Sequence, residues 1–167
     1  MKKVLAIFIL LCAICFPTPT FSQNSLLDLI KQFQDTEKQL RYLKSDLLTI
    51  ATASSNSKRD YFYFGIADSI GSSADIISNA VDLIVLSHPI KEEEKPTISI
   101  YIQSRLSMLK KHIESEIKFI KTAYAGIKNQ AALHLIDKAK EEMRASLNLF
   151  DRSIKILKTD KLTESKK

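Results

Sequence analysis

From Leu26 to Ile50 the chain places Leu26, Leu29, Phe33, Thr36, Leu40, Leu43, Leu47 and Ile50 at alternating steps of three and four residues. That spacing returns to one side of a helix every two turns, so the segment reads as an amphipathic helix whose apolar seam is broken only at Thr36. A helix with such a seam is not stable alone in water and must find other apolar stripes to cover it. Three more are present. The second runs through Tyr63, Ile66, Ile70, Ser73, Ile77, Ala80 and Ile84, widened by Ala67, Ala74 and Val81. The third holds Ile102, Leu106, Leu109, Ile113, Ile117, Ile120, Tyr124 and Ile127, and the fourth Ala132, Ile136, Ala139, Met143, Leu147, Phe150, Ile154 and Leu157. Three Gly and four Pro in 167 residues leave little material for the turns of an all-β fold. The expected fold is all-α, an up-down-up-down four-helix bundle with helices over about 24–54, 60–87, 97–125 and 130–158.

The punctuation supports those limits. Ser25 followed by Asp28 suits a helix start, and the polar run Ser54, Ser55, Asn56 and Ser57 suits the first turn. The second helix should stop before His88 and Pro89, because proline disfavours helical geometry in the residue before it, and Pro96–Thr97 offers the next start. Between the third and fourth stripes only Gly126 and Asn129 interrupt the pattern. Gly126 is expected to take a left-handed cap and Asn129 to cap the following helix. Without that break, residues 97–158 would form a rod of about 90 Å at 1.5 Å per residue, which would need a partner chain to cover it.

The N-terminus is read separately. Lys2 and Lys3 precede an apolar run from Val4 to Phe16, followed by Pro17, Pro19, Thr20 and Ser22. This is the three-part pattern of a secretory signal peptide over residues 1–22, with cleavage near Ser22 and Gln23. As a helix the run would rise about 20 Å against a hydrocarbon core of about 30 Å, which favours a cleaved signal over a membrane anchor. Lipidation at Cys12 or Cys15 is disfavoured by the bulky Leu11 and Ile14 that precede them. Removal of the segment takes away both cysteines and two lysines, leaving 23 basic against 19 acidic residues. A cysteine-free chain has no thiol catalysis, thiolate metal ligand or covalent haem attachment. The remaining domain divides into the bundle, 23–158, and a basic polar tail, 159–167.

Charge sorts the helices. Residues 60–90 hold four Asp and no Lys or Arg, whereas residues 105–128 hold six basic and two acidic residues, so helices two and three are expected to be antiparallel neighbours. Asp68, Asp75 and Asp82 recur every seven residues, about 10 Å apart, too far to share one cation, and read as a solvated face. They also argue against the second stripe being a membrane span.

No catalytic set emerges, and the chain reads as non-enzymatic. A carboxylate-bridged di-iron bundle needs Glu three residues before His, but Leu109 precedes His112 and Ala131 precedes His134 at that position. His112 and Glu116 have helical i, i+4 spacing but sit in a charged segment that reads as a solvated flank, so no metal site is expected. Met143 and His134 could in principle be axial ligands to non-covalent haem, although Met143 reads as core filler and His134 as half exposed, and no cofactor is expected. Ile70-Gly71-Ser72-Ser73-Ala74 reads as small residues that permit close helix approach rather than as a phosphate loop.

Two surfaces stand out. Tyr61, Phe62, Tyr63 and Phe64 spread over about 300° of a helix, so they cannot all face one core. They form either a recognition patch for a peptide, glycan or apolar ligand, or a plug that closes the bundle end against the loop near Gly126. Residues 152–167 carry six basic and two acidic residues, and Lys155, Lys158, Lys161, Lys166 and Lys167 could contact anionic lipid or envelope polymer. Nucleic acid is not an expected partner, since no basic groove interleaved with aromatics is evident. The functional expectation is an exported interaction or ligand-binding bundle, periplasmic in a bacterial envelope or secreted, monomeric or homodimeric, with an unknown protein, glycan or envelope component as partner. The alternatives are an amphipathic protein that associates with membrane surfaces and a non-covalent haem or metal carrier.

Overall fold

The computed structural model describes residues 21–53, 57–87 and 94–164. Residues 1–20 of the signal peptide expected over 1–22, residues 54–56 of the expected turn, the loop at 88–93, Lys166 and Lys167 lie outside the described residues, whereas Phe21, Ser22 and Ser57 are helical. Four long helices follow one another: α1 Phe21–Ala53, α2 Ser57–Leu86, α3 Lys95–Ala123 and α4 Gln130–Glu164, with a 3₁₀ turn, Tyr124–Gly126, closing α3. Each packs on its sequence neighbours, and α4 returns to α1, so the four form a closed up-down-up-down ring. The break between the third and fourth stripes is real, and no single rod forms.

The stripes make the core. Leu29, Phe33, Leu40 and Leu47 of α1, Ile66, Ile70, Ile77 and Ile84 of α2, Leu106, Ile113 and Ile120 of α3, and Ile136, Met143 and Phe150 of α4 are all fully buried in one cluster. Thr36, the gap in the α1 seam, is buried with them. The α2–α4 diagonal is closer than the α1–α3 diagonal. Side-chain size accounts for this: α2 and α4 bury the small residues Ala67, Ser73, Ala74, Ala80, Ala132, Ala139, Ser146 and Ser153, whereas α1 and α3 contribute mostly Leu, Ile and Phe.

Several ends differ from the sequence expectation. The helix of α1 extends back to Phe21, so Ser25 lies inside it and does not cap it, and the Asp28 carboxylate instead accepts a hydrogen bond from Gln32 at 2.6 Å. Gly126 does not take a left-handed cap, since no glycine among the described residues has positive φ. The chain leaves α3 through the 3₁₀ turn and extends at Ile127 (φ −90°, ψ 129°), whose side chain is buried in the core. Burying Ile127 anchors the connection without a left-handed residue. Asn129 does cap α4, its side-chain oxygen accepting from the Ala132 amide at 3.2 Å. The last helix runs on to Glu164, so most of the expected tail is helical backbone.

Helices two and three are neighbours, as charge suggested, but ion pairing is not what joins them. Asp75 pairs with Arg41 of α1 at 2.9 Å, and no ion pair links α2 to α3 among the described residues. Their polar link is instead Glu116 of α3, whose carboxylate accepts hydrogen bonds from Ser69 and, at 3.2 Å, from Ser72. Burial of the apolar stripes decided the adjacency, and the small hydroxyls of α2 accommodate a carboxylate between the helices.

Candidate functional site

At one end of the bundle the C-terminal ends of α1 and α3 meet the N-terminal ends of α2 and α4. The aromatic run opens α2 there. A turn of 100° per residue separates its four side chains as expected: Tyr63 is 5% exposed and belongs to the core, while Tyr61, Phe62 and Phe64 are 84%, 46% and 42% exposed. Phe62 lies across Gly126, where a Cβ would stand 3.4 Å from the ring. That is ordinary packing distance, so Phe62 covers Gly126 and helps close the bundle end without demanding a glycine there. Tyr61 stands mostly in solvent. The four aromatics are thus divided between the core, the bundle end and solvent.

Beside this end, the α3–α4 connection carries a compact polar cluster. The Tyr124 hydroxyl donates to Asp137 at 2.9 Å, Lys140 donates to the other oxygen of Asp137 at 2.6 Å, and the Lys140 ammonium lies 4.4 Å from the Tyr124 ring centroid. The hydrogen bond from Lys140 lowers the Asp137 carboxyl pKa against partial burial, with help from Tyr124. The Asp137 acceptor in turn raises the Tyr124 pKa. The cluster joins the end of α3 to α4 across the turn.

The other sequence-selected residues are dispersed. Met143 is fully buried, whereas His134, nine residues earlier on the same helix, is exposed and about 13 Å away along the axis, so the two do not converge on one ligand. Glu116 is turned to the α2 serines, leaving His112 exposed without it. Among the described residues no group of three or more His, Cys, Asp or Glu stands together as a metal site. Gly71 lies under the side chain of Lys44, which a Cβ there would meet at 2.6 Å, so this small residue admits a neighbouring lysine stem. Lys155 and Lys158 are exposed on α4, and Lys161 continues the helix at the position four residues after buried Leu157. The segment Tyr61–Leu86 is long and apolar enough to cross a membrane by length and composition, and more than half of it is buried inside the bundle.

One surface escaped the sequence reading. Tyr101, Met108 and Phe119 of α3 are 58%, 38% and 48% exposed, and helical rotation puts the first two on the same side of α3 as Phe119, which adjoins α2. Their separations of seven and eleven residues are multiples of the helical repeat, a signal hidden beside the stronger core stripe. Phe119 reaches α2 at Gly65, where a Cβ would stand 3.6 Å from its ring. Compared with protein-family models, with curated proteins and with solved structures, the chain matches none of them.

Proposed function

We propose that this chain is an exported, non-enzymatic interaction module whose bundle presents the Tyr61 end to a protein or glycan partner. The observation that carries this reading is the 84% exposure of Tyr61, next to the Gly126-packed Phe62 and two residues before the buried Tyr63. A rigid aromatic with a hydroxyl tip costs little entropy to immobilise and offers both apolar area and a hydrogen bond. The N-terminal pattern of lysines, short apolar run and small residues supports export.

The test compares Tyr61→Ala with the unchanged chain from Gln23 onward. Tyr61→Ala should change folding stability by no more than about 0.5 kcal/mol, as expected for a surface side chain, yet lose the partner captured from envelope extract by the unchanged protein. Capture that persists in Tyr61→Ala would sink the reading. A large drop in melting temperature would reassign Tyr61 to the bundle plug.

A further inference from the structure

We propose that the outer face of α2 and α3 is the docking surface for a second copy of this chain, with a two-fold axis parallel to the bundle. This goes beyond the Tyr61 reading, because it concerns the long side of the bundle and does not use that residue. The centre of the face carries the exposed row Tyr101, Met108 and Phe119. Such a row on a surface already supplied with a full core points to a contact.

Charge identifies the occupant. The solvent side of α2 is edged by Asp68, Asp75 and Asp82, and the solvent side of α3 by Lys111 and Lys118, all exposed. The contacts between the two helices set their relative heights: Gly65 stands level with Phe119, Ser69 and Ser72 with Glu116, and Phe62 with Gly126. Continuing that register puts Asp68 level with Lys118 and Asp75 level with Lys111. Within one chain these charges lie on opposite edges of the face. Asp68, Lys111 and Lys118 make no ion pair among the described residues, while Asp75 is shared with Arg41. A two-fold axis along the helices exchanges the edges without changing height. It sets α3 of the partner copy over α2, so Asp68 meets the second copy's lysine at position 118 and Asp75 the one at 111, while the apolar row meets its own copy at the centre. An axis across the helices would instead set acid on acid. The α2–α3 face is about 36 Å long and about 20 Å wide, roughly 700 Å² per copy, close to the 800 Å² of a standard interface.

The experiment is sedimentation equilibrium on the chain from Gln23 onward, which retains every core residue. The unchanged protein should show concentration-dependent dimerisation. Asp68→Lys and Lys118→Asp should each be folded by circular dichroism and weaken the dimer at least tenfold. Mixed one to one, the two variants should restore it, because a mixed pair regains both opposite-charge contacts. Phe119→Ser should weaken it too. A monomer at every concentration up to about 0.5 mM, or a dimer indifferent to the reversals and to their mixing, overturns the proposal. Both reversal variants keep Tyr61, so capture of the foreign partner is scored separately in the same samples.

Discussion

Thr36 sits at a seam position, is 7% exposed, and its hydroxyl makes no hydrogen bond among the described residues. A buried hydroxyl without a partner costs free energy that an isosteric methyl would not. Thr36→Val should therefore stabilise the bundle by about 1 kcal/mol in chemical denaturation, whereas an unchanged or lower midpoint would show that the hydroxyl finds a partner. Which residues would be buried was largely legible beforehand: Leu29, Phe33, Leu40 and Leu47 follow from their spacing alone, because helix geometry converts sequence interval into angle. The aromatic run was legible only as a dilemma. Spacing showed that its four side chains must diverge, but Phe62 on Gly126 and Tyr61 in solvent depend on where the α3 turn lies.

The α3–α4 hairpin shows how an element end can be specified twice. Asn129 caps α4 through a local hydrogen bond that the sequence announces, while Tyr124, Asp137 and Lys140 join the two helices across the turn. A lowered Asp137 pKa stabilises the fold above the unfolded carboxyl value, and that contribution is lost as pH falls below about 4. The raised Tyr124 pKa acts in the opposite window, its contribution being present below about pH 10 and lost above it. Asp137→Asn should flatten the acid limb of a stability–pH curve by less than about 1 kcal/mol, because the Asp137 side chain is 49% exposed. It should also return the tyrosinate transition toward its ordinary pH in ultraviolet difference spectra. An acid limb identical to that of the unchanged protein would show that the cluster carries no linkage. The charged ends of helices were the least legible elements: the continuation of α4 to Glu164 has no apolar periodicity to mark it after Leu157.

Closure of the whole bundle rests on the contact between its first and last helices, where the Phe33 and Phe150 rings meet edge to face with centroids 5.1 Å apart, both fully buried. Phe150→Ala should cost about 3–5 kcal/mol, and a double-mutant cycle with Phe33→Ala should show coupling of about 0.5–1.5 kcal/mol beyond lost area; additive losses would mean that each ring packs independently. Four stripes, their lengths and the signals between them were enough to specify four helices and the face each would bury, since both follow from local geometry and from the need to remove apolar surface from water. Partner choice between polar groups was not specified that way. Asp75 bonds Arg41 rather than a lysine of α3, Glu116 is held by Ser69 and Ser72, and Tyr101, Met108 and Phe119 are left outside the core. Those outcomes depend on helix rotation and relative height, which emerge only when all four helices pack together. A net charge or a residue interval carries no information about either.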